Sequence, residues 1–349
     1  MSKASSITVG GVDIAPGTRV NVDLPIADLY TTTALHMPLQ VIHGRKTGPI
    51  AFISAAVHGD EINGVEIIRR LLGMKALDRL HGTLLLVPVV NVHGFLDRSR
   101  YLPDRRDLNR SFPGSATGSI AARLAHVFTR EVAFRADFGI DLHTGALDRS
   151  NLPQIRITRG DEEAERLAMA FGAPVIIGAS ERGGSLRSAA SDRGIPVLVY
   201  EAGEALRFDE LSIKAGVRGI LRVLRAQDML PRRRERGTAA SVVASSTTWV
   251  RAPESGIVTQ RGALGRRVKK GEHLAMVTDP LGTRTAPVIS PISGLIIGRS
   301  NLPLAHEGDA LFHVAGFDSV REAENVVEDF ATTHDPALGR AVENELIGT

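Results

Sequence analysis

The feature that most constrains the fold is a series of short apolar runs, each of which ends in polar residues. PIAFISAAV leads directly to His58, FGIDLHTG contains His143, and IPVLVYEAG contains Glu201. The alternation of strands and helices predicts a mixed, largely parallel sheet with helices on both faces. The sequence therefore predicts an α/β fold over residues 40–230, with polar groups at strand ends, where ligands collect in open α/β sheets.

The segments between these strand ends have patterns of their own. MPLQVIHG and TLLLVPVVN predict strands, PQIRIT is a further strand candidate, and VEIIRRLLGM has the apolar spacing of a helix. Another helix is expected over about 118–136. The loop that leads to Phe112 is rich in Gly, Pro and Arg. We expect this loop to be functional, because it is too long and too charged to be a simple connection.

A change of composition near residue 231 indicates two units. PRRRERG is followed by the small and polar TAASVVASSTT, a pattern that is typical of an interdomain linker. The arginine cluster is also compatible with phosphate or RNA binding, although a solvated linker is the favoured interpretation. With 349 residues the chain exceeds what one core usually serves. We therefore predict a first domain over residues 1–235, which includes an N-terminal lead segment.

After the linker the pattern changes to short strands separated by Gly and Pro. The near-repeat of APESGIV and SPISGLI, with VKKGEHL between them, resembles the lipoyl/biotinyl-type barrel. This resemblance implies a small all-β barrel domain over residues 246–316, which also offers a surface for homo-oligomer formation. The expected cofactor hairpin, TDPLGTRT, has no lysine, which argues against a carrier function. Residues 317–349 predict an acidic helical tail without an assigned function.

Composition argues against several classes of partner. The net charge is +3, from 42 basic and 39 acidic residues, and aromatic residues are not interleaved with basic ones, so we expect no nucleic acid partner. No window approaches the roughly 20 apolar residues of a membrane span. The N-terminus lacks the apolar core of a signal peptide. These observations predict a cytoplasmic protein without a membrane partner.

The absence of cysteine limits how this chain can bind a metal ion. Thiolate ligands are excluded, so any metal must be held by His, Asp or Glu, which favours a catalytic over a structural zinc site. In HGDE, two residues separate His58 from Glu61, and His143 lies at the end of another strand. The alternative is that both histidines are structural and that Glu61 is a carboxylate at a helix N-terminus.

Four motifs, taken in order, favour the metal site. They are HGDE, DLNRSFPG at 107–114, DLHTG at 141–145, and EAG at Glu201. In this combination the chain resembles the succinylglutamate desuccinylase/aspartoacylase family, the deacylase branch of the M14-type zinc carboxypeptidase clan. The resemblance implies a carboxypeptidase-like mixed sheet flanked by helices. It also implies one Zn²⁺ per subunit, held by His58, Glu61 and His143.

The same resemblance implies roles for other residues. Glu201 matches the general base, and Arg100 matches the residue that polarises the scissile carbonyl group. Asn109 and Arg110 match the pair that binds the carboxylate of the substrate. The nearby arginines are alternatives for the role of Arg100: Arg98, Arg105 and Arg106.

Two further residues were open to more than one interpretation. Asp141 either orients a histidine from outside the metal site or is a structural carboxylate. The stretch GGSLRSAASDRGIP also resembles a segment of this family, and this resemblance makes Arg187 a candidate for contact with a second acidic group of the substrate. Alternatively, Gly184 and Ser185 simply form a turn there. The remaining histidines are interpreted as packing or surface residues.

Three functional hypotheses follow. The first is hydrolysis of the amide bond of a small N-acyl amino acid, with a metal-activated water and Glu201 as general base. The second is a zinc carboxypeptidase that acts on short peptides, against which the appended barrel argues because it would narrow the cleft. The third is a binding module without catalysis. The sequence does not identify the acyl group or the amino acid.

Overall fold

A computed structural model describes residues 2–232, 241–260 and 262–334. The first ten strands are β1 (Ile7–Val9), β2 (Val12–Ile14), β3 (Thr18–Asp28), β4 (Ala34–His43), β5 (Ile50–Ala55), β6 (Thr83–Val87), β7 (Phe138–Gly145), β8 (Arg149–Thr158), β9 (Val175–Ala179) and β10 (Val197–Glu204). The later strands are β11 (Val242–Ala244), β12 (Ser246–Arg251), β13 (Gly256–Gln260), β14 (Arg267–Val268), β15 (His273–Thr278), β16 (Thr285–Ile289), β17 (Gly294–Ser300), β18 (Leu304–Ala305) and β19 (Ala310–Gly316).

Seven α-helices accompany these strands in the described part of the chain. They are α1 (Asn63–Leu72), α2 (Val92–Asp97), α3 (Ile120–Glu131), α4 (Glu162–Phe171), α5 (Leu186–Ser191), α6 (Glu210–Ala226) and α7 (Val320–His334). Short 3-10 segments lie at Lys75–Arg79, Leu108–Arg110 and Ala133–Arg135. None of the helices in the described ranges has the length and apolar character that crossing a membrane requires.

One large mixed sheet organises the molecule. Its order is β12-β19-β17-β8-β10-β7-β5-β6-β4-β3, with β14 beside β17, β9 beside β8, and β11 beside β9. The four neighbouring strands β10, β7, β5 and β6 are parallel to one another. Strands β8 and β4 flank them in the antiparallel direction. The sheet is therefore mixed, as predicted, but it is not largely parallel, because its outer strands are mostly antiparallel.

Alternating side chains fill a core on each face of the sheet. Along β5, Ala51 and Ile53 belong to one apolar cluster and Phe52 belongs to the other. Successive side chains of a strand point to opposite faces, so these two clusters lie on opposite sides. Helices α1, α4 and α6 cover the first cluster, and α3 and α5 cover the second. This confirms the predicted arrangement of a mixed sheet between layers of helices.

Glycine allows α6 to lie close to its neighbours. A Cβ atom at Gly216 would lie 2.4 Å from the Cδ1 atom of Ile67 in α1. At Gly219 it would lie 2.3 Å from the ring of Phe171 in α4. Both distances are shorter than packed carbon atoms tolerate, so a side chain at either position would require the contacting side chain, Ile67 or Phe171, to move.

Parallel pairing sets the polar strand ends side by side. In the β10–β7 pair, Glu201 is in register with His143. In the β5–β7 pair, Ser54 is in register with Asp141. Because the carboxyl ends of parallel strands meet at one edge, the motifs that are distant in sequence converge there.

Strand β3 and helix α2 are among the elements that the sequence analysis did not predict. Strand β3, in the N-terminal lead segment, pairs with β4 over ten aligned positions, from Thr18↔His43 to Asp28↔Ala34. Its buried side chains Val22, Leu24 and Ile26 alternate with exposed ones, which is typical of an antiparallel strand. Helix α2 lies in the segment that was predicted to be a functional loop, and Asn91 caps it by accepting a hydrogen bond from the backbone N–H of Gly94 at 2.9 Å.

The C-terminal strands extend the main sheet. Strand β17 pairs antiparallel with β8, with Gly298 opposite Asn151 and Ser300 opposite Arg149. Strands β13, β15, β16 and β18 form a separate four-stranded sheet. The C-terminal strands of the main sheet and the strands of this four-stranded sheet enclose a shared apolar core that includes Leu274. Between 241 and 316 the described residues contain strands and turns but no helix. The separate lipoyl/biotinyl-type barrel over 246–316 stays a prediction.

The predicted domain boundaries lie partly outside the described residues. Residues 233–240 of the predicted linker lie outside them, as does the first boundary at residue 235. Of the predicted helical tail, α7 is described, and residues 335–349 lie outside the described residues.

Candidate functional site

The three predicted metal ligands meet at the carboxyl edge of the parallel strands. His58 follows β5, Glu61 precedes α1, and His143 lies in β7. Nδ1 of His58 lies 2.7 Å from Oε1 of Glu61, and Nδ1 of His143 lies 2.8 Å from Oε2. One ligand atom from each of the three residues lies within 4.8 Å of the others. All three side chains are buried.

Backbone contacts fix the turn between His58 and Glu61. The N–H of Glu61 donates to the carbonyl oxygen of His58 at 3.1 Å, and the N–H of Thr144 donates to Glu61 Oε2 at 3.0 Å. A Cβ atom at Gly59 would lie 1.9 Å from the carbonyl carbon of Gly94. The glycine in HGDE is therefore required by the close approach of the segment at α2.

Each of the two histidines also contacts a further carboxylate through its Nε2 atom. Nε2 of His58 lies 3.1 Å from Oδ1 of Asp107, and Nε2 of His143 lies 2.7 Å from Oδ2 of Asp141. Ser54 donates a hydrogen bond from Oγ to Oδ1 of Asp141 at 2.7 Å. Such outer carboxylates fix the orientation of metal-binding imidazoles. Asp141 therefore lies where an orienting acceptor should lie. The contact of Asp107 was not predicted, although the residue belongs to the DLNR motif.

Strong electrostatic coupling links these groups in the metal-free chain. Burial opposes charge on Glu61, but His58 and His143 outweigh it and lower the pKa of this carboxyl far below its usual range. Burial also opposes charge on His143, but Asp141 and Glu61 raise its pKa well above the usual value. The pKa of His58 is raised in the same way, against its burial, by Glu61 and Asp107.

The donor set fits a zinc ion. Two imidazole nitrogens and a carboxylate are common ligands of catalytic zinc, which keeps a further position for water or substrate. Both Nδ1 atoms face the same carboxylate while both Nε2 atoms are held elsewhere, so the donors converge on one point. In the described ranges this is the one group of three such side chains that meets the distance requirement for an ion.

Arg100 lies directly beside this group. Its Nη1 atom is 3.2 Å from Nδ1 of His58 and 3.3 Å from Oε1 of Glu61, and Nη2 donates to Oδ2 of Asp107 at 3.0 Å. The alternatives to Arg100 lie elsewhere: the wall of the site contains Arg100 and Arg110 but not Arg98, Arg105 or Arg106, all of which the structure describes.

One cavity of about 290 Å³ contains all eight residues singled out from the sequence. They are His58, Glu61, Arg100, Asn109, Arg110, His143, Arg187 and Glu201. The other residues of its wall include Arg149, Arg156 and Trp249, which the sequence analysis did not select. Trp249 comes from β12, so the C-terminal strands contribute directly to the site.

Glu201 faces the cavity from β10. Asn151 donates from Nδ2 to Oε2 of Glu201 at 2.9 Å, and Nε of Arg156 lies 3.6 Å from Oε1. Both partners lie on the neighbouring strand β8. Sequence reasoning missed them, and the available signal was the presence of polar residues within the otherwise apolar run NLPQIRIT.

The predicted carboxylate-binding residues connect three segments. Oδ1 of Asn109 accepts a hydrogen bond from the backbone N–H of Leu186 at 2.9 Å, at the start of α5. Arg110 donates to the carbonyl oxygen of Asn109. Gly184 has φ of 78°, and a Cβ atom there would lie 2.5 Å from the carbonyl oxygen of Arg110. The turn at Gly184 therefore packs against this pair.

Arg187 reaches the cavity from α5. It donates from Nη1 to Thr158 Oγ1 and to the carbonyl oxygen of Ala179, both at 3.2 Å. Burial lowers its pKa, and the charges of Arg156 and Arg182 lower it further, against the opposing effect of Glu181. The guanidinium group is therefore fixed by neutral acceptors and lies among other arginines.

Comparison with known proteins gives concordant results. Residues 47–227 match the family model of the succinylglutamate desuccinylase/aspartoacylase catalytic domain. A relative from Halomonas elongata, N-alpha-acetyl-L-2,4-diaminobutyric acid deacetylase, is 27% identical over 277 residues, which cover 76% of this chain and 81% of the relative.

Two solved structures have closely similar folds. The product-bound ectoine utilization protein EutE (DoeB) from Ruegeria pomeroyi has a TM-score of 0.78 and 25% identity, and the match covers 85% of this chain and 95% of that one. A succinylglutamate desuccinylase/aspartoacylase from Rhodobacter sphaeroides also has a TM-score of 0.78 and 25% identity, with 86% and 96% covered. Because the family model spans more than half of the sequence, the chain belongs to the succinylglutamate desuccinylase/aspartoacylase family.

Proposed function

We propose that this chain is a zinc-dependent hydrolase that cleaves the amide bond of a small N-acyl amino acid. The observation that carries the proposal is that Glu201 opens into the same cavity as the His58, Glu61 and His143 group, in register with His143. A carboxylate beside three metal donors is the arrangement that metal-assisted hydrolysis needs. Membership of a deacylase family supports the same reaction.

His58 and His143, through Nδ1, and Glu61 would hold the ion, and Asp107 and Asp141 would keep the two imidazoles oriented. When bound, zinc supplies Lewis acidity and lowers the pKa of a water molecule towards neutrality.

Glu201 acts as the general base. Its carboxylate accepts the proton of the attacking water and then donates this proton to the amine that leaves, so that the amide C–N bond breaks and a C–O bond forms. Asn151 donates to one oxygen and Arg156 lies near the other, so both partners orient the carboxylate towards the cavity. We therefore assign to this pair the positioning of the base.

Arginine side chains stabilise the negative charges. Arg100 lies beside the metal donors and would donate to the carbonyl oxygen as negative charge develops on it, because a guanidinium group is a rigid and permanently charged donor. Arg110, with Asn109, would bind the carboxylate of the amino acid. Arg187 stays a candidate for a further acidic group.

Cavity size favours small substrates over peptides. A volume of about 290 Å³ is at the lower end of the range for small-molecule sites, and Trp249 forms part of its wall. The name of the Halomonas elongata relative, a deacetylase of an acetylated diamino acid, supports this substrate class. Peptide cleavage in the manner of a carboxypeptidase is the alternative, and a binding module without catalysis is the third hypothesis.

The test is release of amine by zinc-loaded protein from a panel of N-acetyl, N-succinyl and N-formyl amino acids and short peptides. We expect release from acyl amino acids that a chelator abolishes, and a loss of several orders of magnitude in kcat for Glu201→Gln with bound zinc unchanged. Glu204→Gln is the matched control, because Glu204 lies on the same strand and pairs with Ser150 and Asn301.

Other outcomes would assign another function. Release from peptides alone would identify a carboxypeptidase. Full turnover by Glu201→Gln would remove Glu201 from the role of general base. Ligand binding without any turnover, by a protein that retains zinc, would support the binding module.

A further inference from the structure

A row of residues in register crosses the main sheet from strand β12 towards the proposed general base. Trp249 on β12 is opposite His313 on β19, and His313 is opposite Gly298 on β17. Gly298 is in turn opposite Asn151 on β8, and Asn151 donates a hydrogen bond from Nδ2 to Oε2 of Glu201 at 2.9 Å. The row therefore connects the C-terminal strands of the chain with Glu201.

Gly298 leaves a space in this row that the neighbouring side chains use. A Cβ atom at Gly298 would lie 2.9 Å from Oδ1 of Asn151 and 3.2 Å from the Cβ atom of His313. The first distance is shorter than non-bonded carbon and oxygen atoms tolerate. The φ angle of Gly298 lies outside the left-handed region, so its backbone conformation is open to other residues. Space, and not backbone conformation, is what glycine provides at this position.

The amide group of Asn151 depends on that space for its orientation. Its oxygen atom lies beside Gly298, and its nitrogen atom lies within hydrogen-bond distance of Glu201. An ionised carboxylate only accepts hydrogen bonds, so the NH₂ group has to face Glu201 and the amide oxygen has to face away from it. Gly298 thus provides the place for the oxygen atom in the orientation that Glu201 requires.

His313 borders the same space from strand β19. Its ring is buried and stacks on Trp249, with centroids 4.4 Å apart and an interplanar angle of 6°. Burial, followed by the charge of Arg156, lowers the pKa of His313 to about 3, so the ring is neutral in the pH range of enzyme assays. Its buried Nδ1 atom has no hydrogen-bond partner within the described part of the chain. Packing therefore holds this ring in place.

The orientation of the amide matters because Glu201 has few other contacts that fix it. Oε2 accepts the hydrogen bond from Asn151, and Oε1 lies 3.6 Å from Nε of Arg156. A displacement of about 1 Å at a reacting group can lower the rate about 100-fold. Movement of the Asn151 amide would release one oxygen of Glu201 from its present position in the cavity.

We propose that Gly298 and His313 are positioning residues for the general base, because they fix the Asn151 amide that orients Glu201. This inference rests on the proposed function. It extends the site to strands β17 and β19, which lie outside the family match. We expect turnover to depend on these two residues although neither of them is a metal ligand or lines the cavity.

The variant Gly298→Ala is the first test. The added methyl group meets the end of a flexible side chain, so we expect Tm and zinc content close to those of the wild type. With the panel of N-acetyl, N-succinyl and N-formyl amino acids, kcat should fall about tenfold or more while KM changes less than about twofold. Gly178→Ala on β9 is the matched control, since a Cβ atom there would lie 3.8 Å from its nearest neighbour, Arg159.

A double-mutant cycle tests whether Gly298 acts through Asn151. Asn151→Ala removes both the hydrogen bond to Glu201 and the oxygen atom that occupies the space beside Gly298. The double variant should therefore have the kcat of Asn151→Ala alone. If the two separate losses multiplied in the double variant, or if Gly298→Ala retained wild-type kcat, the proposal would be overturned.

Two variants of His313 test its role in packing. His313→Phe keeps an aromatic ring against Trp249 and should retain kcat. His313→Ala opens the space beside Gly298, so the Asn151 amide gains freedom and kcat should fall severalfold. In an Asn151→Ala background this second loss should disappear. Equal losses in His313→Phe and His313→Ala would overturn the assignment of His313.

A crystal structure of Gly298→Ala separates this inference from the proposed function. We expect the Asn151 amide to have moved out of hydrogen-bond distance of Oε2 of Glu201. An unchanged contact of about 2.9 Å would overturn the inference alone. If the zinc-loaded wild-type protein hydrolysed nothing in the panel, the proposed function alone would be overturned, and the displaced amide would still support the part played by Gly298 in fixing Asn151.

Discussion

At the scale of single residues, the candidate metal site is a chain of alternating acids and bases. Asp107, His58, Glu61, His143 and Asp141 follow one another through contacts of 2.7 to 3.1 Å. Each histidine is held from both sides, so its ring has little freedom to rotate. The site is therefore preorganised before any ion enters, which reduces the ordering that metal binding requires.

The outer carboxylates should control zinc affinity. We expect Asp107→Asn and Asp141→Asn each to weaken zinc binding by about 10- to 100-fold, because each removes a charged acceptor that orients a histidine. Competition with a chromophoric chelator measures this change. Asp104→Asn is the control, since Asp104 lies in the same loop and its ion pair is with Arg106. If both variants bound zinc as tightly as the wild type, the two histidines would not need Asp107 and Asp141 to orient them.

The raised pKa values of His58 and His143 predict how the stability of the metal-free protein depends on pH. The pKa values of His58 and His143 are raised on folding, so their contribution to stability is fully present below about pH 6.5, their usual pKa in the unfolded chain. This contribution is lost as pH rises through the raised values. We expect the free energy of unfolding of the metal-free protein to fall as pH increases above about 6.5.

Chemical denaturation between about pH 6 and 9 measures this trend. In the double variant His58→Gln, His143→Gln, the decrease should be much smaller. Zinc requires neutral imidazoles, so its binding at neutral pH should also release protons, which calorimetry in buffers of different ionisation enthalpy detects. Stability of the metal-free protein that rises over this range would contradict the assignment of protonated histidines.

The sequence motifs were sufficient to identify eight residues of the cavity wall. They did not identify the residues that contact and orient these eight. His58 and Glu61 are three residues apart, so their proximity is a local property of the sequence. Asp107 is 49 residues from His58, and Asn151 is 50 residues from Glu201. Such contacts depend on strand order and loop path, which a residue pattern does not specify.

At the scale of elements, the contact of α6 with α4 depends on a glycine. We expect Gly219→Ala to lower the free energy of unfolding by about 1–3 kcal/mol, because overpacking against Phe171 outweighs the roughly 1 kcal/mol gain in helix propensity. Urea denaturation measures the change.

A second glycine gives the matched control. Gly73, which follows α1, has φ of −77°, and a Cβ atom there would lie 3.6 Å from the backbone oxygen of Arg70, which is ordinary van der Waals contact. Gly73→Ala should therefore be neutral or slightly stabilising. Similar behaviour of the two variants would mean that the helices adjust without cost.

The parallel centre of the sheet could be predicted from the sequence because its strands are continuous apolar runs. Strands β5, β7 and β10 were all anticipated, and the motif residues lie at their ends. Helix α2 was not, because it has only six residues, and strand β3 was not, although Val22, Leu24 and Ile26 alternate with polar or exposed residues. The pairing of β17 with β8 joins Gly298 to Asn151, and no local pattern records a register across such a distance.

At the scale of the whole molecule, the sheet joins the two ends of the chain. We expect residues 1–232 expressed alone to aggregate, because removal of β11 and β17 leaves β9 and residues 149–151 of β8 unpaired on one edge and exposes the apolar surface around Leu152 and Val175. Co-expression of residues 241–349 should restore soluble material. Size-exclusion chromatography of the two fragments, alone and together, tests this expectation, and a monomeric, zinc-binding fragment 1–232 would contradict it.

The same strand pairing sets an order of events during synthesis. Gln154, on β8, donates a hydrogen bond to the carbonyl oxygen of Ile297, 143 residues later. At about 5–20 residues per second, the ribosome needs on the order of ten seconds to add the missing strand. In the later part of that interval, after Glu201 has been added, all the motif residues have been made, but strand β17 does not yet exist. A nascent chain therefore acquires its complete cavity only after β19, the partner of β12, has been made.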